Sequence, residues 1–212
     1  MSKILPGQTD LYALTDARLS KGRSLTEVVG ALLAGGIRII QYREKHLAQG
    51  KMLEECRLIR DLTREAGACF IVDDWVELAI LSGADGVHIG QDDLPAREVR
   101  KLVGNDMIIG VSTHAPEQAK KAVADGADYI GVGPIYATQT KEDVVAPVGL
   151  EYLRWVVTNL DVPYVAIGGI KEHNISQVVQ AGAKCCALVS EFVGADDITA
   201  KVLAVRQKMH EL

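Results

Sequence analysis

The segment SGADGVHIG, Ser82–Gly90, is echoed by DGADYIGVG at Asp125–Gly133 and by AGAKCCALVS at Ala181–Ser190, with AGGIRIIQYR at Ala34–Arg43 as a looser version. Each follows one plan: a helix ends, glycine turns the chain, and an apolar strand begins. Glycine suits the left-handed position just past a helix C-terminus. The copies are unevenly spaced, so the echo marks repeated βα units and not the fixed period of a solenoid. Working outward, apolar runs predict eight strands, near Leu11–Thr15, Ile37–Arg43, Cys69–Asp73, Gly86–Gly90, Met107–Ser112, Tyr129–Pro134, Tyr164–Gly168 and Cys185–Ser190. Helical stretches lie between them, for example Met52–Ala66, Pro116–Ala124 and Ile175–Ala181, and a last helix covers about Ile198–His210. Eight strands alternating with eight helices is the count of an α/β (β/α)8 TIM barrel. A doubly wound open sheet is the alternative, disfavoured because no early Gly-x-Gly-x-x-Gly is present. No linker or low-complexity segment interrupts the pattern, so residues 1–212 read as a single TIM-barrel domain.

Composition agrees. A chain of 212 residues, 48% of them hydrophobic and few of them aromatic, suits a parallel sheet covered by helices. The net charge of −5 argues against a general nucleic-acid or anionic-membrane surface, while leaving room for a local basic pocket. No apolar run reaches the roughly 18 residues of a membrane span, and MSKILPGQTD lacks a secretory hydrophobic region. Cys56, Cys69, Cys185 and Cys186 make no C-x-x-C pair and read as buried thiols of a cytoplasmic protein, with no structural zinc site. Adjacent Cys185 and Cys186 should face opposite sides of their strand.

In a barrel the chemistry sits at the C-terminal ends of the strands, and five polar clusters fall there. In IIQYREK, Gln41, Arg43 and Lys45 share one strand face, with Tyr42 and Glu44 opposite. An amide and two cations after a buried run point to an inward anion site, Arg offering a planar fork and Lys a compact charge. IVDDW supplies Asp73 and Asp74, and GQDDLP supplies Gln91, Asp92 and Asp93. These carboxylates are equally readable as helix N-caps or as oxygen ligands for Mg²⁺ from neighbouring strand ends. GVSTH contains Ser112 in a spacing that matches no nucleophile elbow; a cap is the plainer account of its hydroxyls, and His114 reads as structural. GPIYATQTKEDV brings Thr138, Gln139, Thr140 and Lys141 in a long loop suited to phosphate or carboxylate contacts. Gly168 and Gly169 after strand seven, and Val189–Ser190 after strand eight, stand where barrels commonly hold a phosphate. Two anion sites emerge.

Taken in order, QYREK, DD, GADGVHIGQDDLP, GVSTH, DGADYIGVGPIYATQTK, AIGGI and LVS resemble the thiamine phosphate synthase family, from about Leu11 to Ala204. Any one element is weak; the ordered set is specific. The resemblance implies a (β/α)8 enzyme, a transferase that joins hydroxymethylpyrimidine diphosphate to a thiazole phosphate and releases diphosphate. By position it assigns Gln41, Tyr42, Arg43, Glu44, Lys45, Asp73, Ser112 and Lys141 to the pyrimidine diphosphate. Asp74 and Asp93 match its Mg²⁺ ligands, and Thr138, Gln139, Thr140, Gly169, Val189 and Ser190 match the thiazole phosphate site. Its partners are small molecules; a homo-oligomer is compatible with it. The family's chemistry is a dissociative substitution needing no covalent nucleophile, with Arg43, Lys45, Ser112 and Lys141 as the groups stabilising charge and orienting substrate.

Two positions depart from the family pattern: Asp73 stands where Asn is usual, and Trp75 where Arg is frequent. An ionised Asp accepts hydrogen bonds but cannot donate. With so much positive charge nearby, Asp73 is expected to turn toward Mg²⁺ beside Asp74 and Asp93, and not toward the diphosphate. Two further functional classes remain: a thiazole tautomerase on the same barrel, and a catalytically silent thiamine-precursor binding protein.

Overall fold

The computed structural model describes residues 4–140 and 145–211. Eight parallel strands close into a barrel in sequence order: β1 (Leu11–Leu14), β2 (Ile39–Tyr42), β3 (Cys69–Asp73), β4 (Gly86–Ile89), β5 (Ile108–Thr113), β6 (Tyr129–Val132), β7 (Tyr164–Ile167) and β8 (Cys186–Leu188). Closure is made by β1 on β8, with Leu11 opposite Cys186 and Ala13 opposite Leu188. Most strands stop a residue or two before the apolar runs suggest.

The helices are α1 (Leu25–Ala34), α2 (Gln49–Glu65), α3 (Val76–Ser82), α4 (Ala96–Val103), α5 (Pro116–Ala124), α6 (Gly149–Asn159), α7 (Ile175–Gln180), α8 (Ser190–Val193) and α9 (Ile198–His210). The short α8 is additional to the eight expected. Helix α1 starts with a reciprocal cap: Ser24 Oγ accepts from Glu27 N, and Ser24 N donates to Glu27 Oε2 at 2.7 Å. Helix α2 buries Met52, Cys56, Ile59 and Thr63, a stripe at helical spacing. No helix among the described residues is long and apolar enough to cross a membrane.

Alternation along the strands splits the core in two. Leu11, Ala13, Ile40, Val72 and Cys186 pack between sheet and helices, while Tyr12, Leu14, Ile39, Ile71, Tyr129 and Cys185 fill the barrel interior. Cys185 and Cys186 thus face opposite sides, as their adjacency requires. All four cysteines are free and buried, and burial pushes the Cys56 and Cys185 thiols up to about 12.

The echoed segments have one structural meaning. Their first glycines, Gly83, Gly126 and Gly182, take φ of +66°, +87° and +109°, the left-handed region that glycine enters without a Cβ penalty. In the first two copies an Asp follows, and it clamps the closed end of the barrel. Asp85 Oδ2 accepts from Phe70 N (2.8 Å) and Arg60 Nη1 (2.6 Å). Asp128 Oδ2 accepts from Ile109 N (2.7 Å) and Arg100 Nη2 (2.6 Å). Each carboxylate therefore joins a strand start to a preceding helix. The Arg60 side chain is 9% exposed and that of Arg100 22%. Asp85→Ala should lower the unfolding free energy by roughly 2–3 kcal/mol, since a buried cation and a strand N–H lose their acceptor. Asp128→Ala should cost less, because water reaches Arg100. Chemical denaturation of the two variants tests the order.

Candidate active site

A cavity of about 160 Å³ opens at the C-terminal end of the strands, several times the roughly 30 Å³ a water occupies in the liquid. Gln41, Arg43, Asp73, Ser112, Thr138, Thr140, Gly169, Val189 and Ser190 all line it. Strand alternation explains the first two: Gln41 and Arg43 point in, while Tyr42 points out and donates from its hydroxyl to Glu55 on α2 at 2.6 Å. Glu44 turns onto its own loop, accepting from the backbone N–H groups of Lys45 (2.8 Å) and His46 (2.7 Å). Gln139 is exposed. The side chains of Tyr42, Glu44 and Gln139 are thus not brought to the cavity. Lys45 lines a smaller pocket beside it with Asp16, Arg18 and Arg43. Lys141 lies outside the described residues.

Charge alternates around this end of the site. Asp16 Oδ2 lies 3.2 Å from Arg18 Nη2 and 3.3 Å from Arg43 Nη1. Asp73 Oδ2 lies 3.8 Å from Arg43 Nε and 3.7 Å from Lys45 Nζ, and Lys45 also pairs with Asp74. Arg18 further donates to Thr140 O at 3.0 Å, tying the loop after β6 to the loop after β1. Asp16 and Arg18 escaped the sequence reading, although Asp16 is the first carboxylate after β1.

The capping alternative fails for the acidic clusters and for Ser112. The N-caps of α3, α4 and α5 are Trp75, Pro95 and Ala115, none with a side-chain cap. Asp74 instead holds φ +62°, its N–H fixed to His88 O at 2.7 Å. Asp93 Oδ2 accepts from Gly90 N at 2.6 Å. Trp75 donates from its indole to Glu44 O at 3.4 Å, packing the loop after β2. His114 has a backbone role, its Nδ1 2.6 Å from Gly133 O.

Beneath the cavity runs a buried polar chain. Gln41 Nε2 donates to Tyr12 OH at 3.0 Å; Tyr12 OH is 3.0 Å from Tyr129 OH; Tyr129 OH is 2.9 Å from His88 Nδ1; His88 Nε2 is 2.9 Å from Ser112 Oγ. Tyr12, His88 and Tyr129 were missed in sequence. Their signal was a polar-tipped side chain at an inward strand position, the same period that exposed Gln41. On the opposite side of the mouth, Gly168 and Gly169 take φ of +102° and +63°. A Cβ on Gly169 would lie 2.6 Å from Ala137 O, so this glycine lets the β7 turn seat the loop carrying Thr138 and Thr140. Lys171, also missed, donates from Nζ to Ser190 Oγ at 2.8 Å and pairs with Glu191 at 3.2 Å.

The model of the family described as thiamine monophosphate synthase matches residues 11–192. The chain belongs to the thiamine monophosphate synthase family. It is 58% identical over 210 residues to the thiamine-phosphate synthase of Lawsonia intracellularis, covering 98% of this chain and 97% of that one. It is 60% identical over 199 residues to that of Pelotomaculum thermopropionicum, covering 94% and 91%. Among solved structures, thiamine phosphate pyrophosphorylase from Pyrococcus furiosus superposes with a TM-score of 0.87 at 36% identity, covering 95% of this chain and 96% of that one.

A family member of this kind calls for a divalent-cation site, and the donor set can be tested. Among the described residues no three His, Cys, Asp or Glu converge on one point. Asp74 and Asp93, at the ends of adjacent strands, are a two-carboxylate set that leaves most positions to water and phosphate. That suits Mg²⁺ and does not suit an all-protein cage. The Asp73 carboxylate, expected beside Asp74 and Asp93, stands between Arg43 and Lys45, the latter shared with Asp74, because the inward strand position carries it to the cations. Removing that charge takes away one of the two carboxylates each cation faces, leaving Arg43 with Asp16 and Lys45 with Asp74. Asp73→Asn should therefore tighten binding of inorganic diphosphate about tenfold, within the roughly 1–4 kcal/mol expected of one charge pair near 4 Å, and shift apparent Mg²⁺ affinity less than twofold. Calorimetry with each ligand checks both.

Proposed function

We propose that the protein is a thiamine-phosphate synthase that joins hydroxymethylpyrimidine diphosphate to a thiazole phosphate, plain or carboxylated, giving thiamine phosphate and diphosphate. The observation that carries this reading is a cavity with Arg43 at one end and the Gly169, Val189 and Ser190 turn at the other, with Lys45 in a smaller pocket that shares Arg43. Two anionic substrates fit such a cavity with their rings between the ends.

In this reaction the bond between the pyrimidine methylene and the diphosphate oxygen breaks, its electron pair leaving with diphosphate. The electron-rich aminopyrimidine stabilises the cation left behind, and the thiazole nitrogen lone pair forms the new C–N bond. No enzyme nucleophile or general base is needed, which agrees with a Ser112 whose neighbour His88 is held in the buried chain. Arg43 and Lys45, with Lys141, offset the charge developing on the leaving group. Ser112 and Gln41 orient the pyrimidine diphosphate, and Thr138, Thr140, Gly169, Val189 and Ser190 hold the thiazole phosphate. Holding both rings in line can supply roughly 7–11 kcal/mol in favourable systems.

Asp74 and Asp93 would hold Mg²⁺, whose charge supports the departing diphosphate. Local electrostatics favour this assignment. Among the described residues, Arg18, Arg43 and Lys45 are already matched by Asp16, Asp73 and Asp74. A diphosphate entering a balanced cluster needs positive charge from elsewhere. Free buried cysteines agree with a cytoplasmic setting.

The decisive assay is release of diphosphate with formation of thiamine phosphate from both substrates and Mg²⁺; no release would overturn the reading. Asp74→Ala and Asp93→Ala should each raise the Mg²⁺ concentration for half-maximal rate at least tenfold, and excess chelator should abolish turnover. Full activity in chelator would remove the metal from the reaction. Gly169→Ala should raise KM for the thiazole phosphate about tenfold, because the added Cβ displaces the Thr138–Thr140 loop, with pyrimidine diphosphate affinity within twofold. Steady-state kinetics with each substrate varied separates the two ends.

A further inference from the structure

Lys171 stands two residues beyond Gly169, and Glu191 directly follows Ser190. Neither has a part in the function above. Lys171 Nζ donates to Ser190 Oγ at 2.8 Å and lies 3.2 Å from Glu191 Oε2. An ammonium has three N–H groups and no lone pair. The direction of the first bond is therefore fixed: Ser190 Oγ accepts, and the proton of the serine is left to go elsewhere. Among the described residues Ser190 Oγ makes no second hydrogen bond. Ser190 lines the cavity, so a ligand there can receive that proton.

We infer that Lys171 is a positioning residue for the phosphate of the thiazole substrate. By occupying a lone pair of Ser190 Oγ it makes the hydroxyl a donor toward the cavity, and so favours the phosphorylated thiazole over its uncharged alcohol. That the anion is a thiazole phosphate rests on the function proposed above; the direction of the bond from Lys171 to Ser190 does not.

Three features support this role. The backbone that carries Lys171 is clamped to the glycine turn by one amide: Asn174 Oδ1 accepts from Lys171 N at 2.7 Å, and Asn174 Nδ2 donates to Gly169 O at 3.0 Å. The ammonium is held from its other side by Glu191, whose Oε1 accepts from Glu172 N at 3.3 Å and lies 3.9 Å from Lys201 Nζ. Finally, Arg43 is the only Lys or Arg among the described residues lining the cavity, and it follows β2. Lys171 brings a positive charge to within one hydroxyl of the cavity after β8. A cation behind a hydroxyl polarises it and strengthens the bond it donates. The Lys171 and Lys201 side chains are 32% and 34% exposed, so their ion pairs alone contribute little to stability, and ligand choice is where the role of Lys171 reads out.

The test is calorimetry of thiazole phosphate binding to the full-length protein, with Mg²⁺ and inorganic diphosphate present. Lys171→Met, which keeps most of the side-chain length, and Ser190→Ala should each weaken binding about tenfold, the scale of one hydrogen bond to a charged group. In the Ser190→Ala background Lys171→Met should cost less than about threefold more. Affinity for the unphosphorylated thiazole alcohol should stay within twofold in every variant. A Lys171→Met protein that binds thiazole phosphate as wild type does overturns the inference. So do additive losses, which would mean that Lys171 acts without Ser190, and equal losses for phosphate and alcohol, which read as packing. Lys201→Met breaks only the outer pairs, to Glu172 and Glu191. It should leave thiazole phosphate affinity within twofold; a tenfold loss there would reduce Lys171 to one member of a surface strap. Lys171→Ala repeats the cycle if Lys171→Met folds poorly. Should thiazole phosphate bind with the expected pattern while no thiamine phosphate forms, the proposed function fails and the role of Lys171 stands. A wild-type protein that does not bind thiazole phosphate overturns both.

Discussion

Closing eight parallel strands into a barrel sends every second residue of each strand into an interior only a few side chains wide. That constraint governs the rest of the molecule. At the closed end it admits Ile39, Ile71 and Cys185, which pack as a second core separate from the layer under the helices. Nearer the mouth it admits polar groups only in mutually satisfying sets, because an unpartnered donor or acceptor there is costly. The chain from Gln41 to Ser112 satisfies that condition across five strands. Gly110 supplies the room, and where a Cβ at Gly86 would meet Ile108 O at 2.7 Å the close approach of the strands is itself the reason for glycine.

The mouth is governed by charge. Arg43 contacts Asp16 on one side and approaches Asp73 on the other, and Lys45 is shared between Asp73 and Asp74. Cations held between carboxylates are preorganised and fixed in direction, which is how a site stabilises charge that appears during a reaction. They are not an unopposed positive surface, and this agrees with a chain whose overall charge is −5. Membership of the thiamine monophosphate synthase family fits such a site: the chemistry moves charge onto a leaving group and needs it received, not attacked.

The two ends of the barrel divide the work. Asp85 and Asp128 tie strands to helices at the end away from the cavity. The cavity-lining groups sit on strand tips and on loops held by polar contacts such as Arg18 to Thr140 O and Lys171 to Ser190 Oγ. Stability and chemistry can therefore vary independently, as in other barrels.

The sequence by itself determined the barrel. Apolar runs, the glycines of the echoed segments and the alternation of IIQYREK are local signals, and strand and helix formation respond to local pattern. They placed all eight strands to within about two residues at most ends, and period two put Gln41, Arg43 and Lys45 on one face with Tyr42 and Glu44 on the other, of which Gln41 and Arg43 line the cavity. The acidic and hydroxyl clusters were visible too, but not their roles: helix caps and ligand-facing groups use the same residue types, and only the observed starts of α3, α4 and α5 separated them. Asp73 was expected beside a metal and stands between Arg43 and Lys45. The partnership of Tyr12 with Tyr129, 117 residues apart, has no local trace, nor does the alliance of Asp16 with Arg43. Those were decided by tertiary structure, because a hydrogen bond or ion pair across a barrel depends on which strand tips closure brings within about 3 Å, a distance that no local pattern of residues encodes.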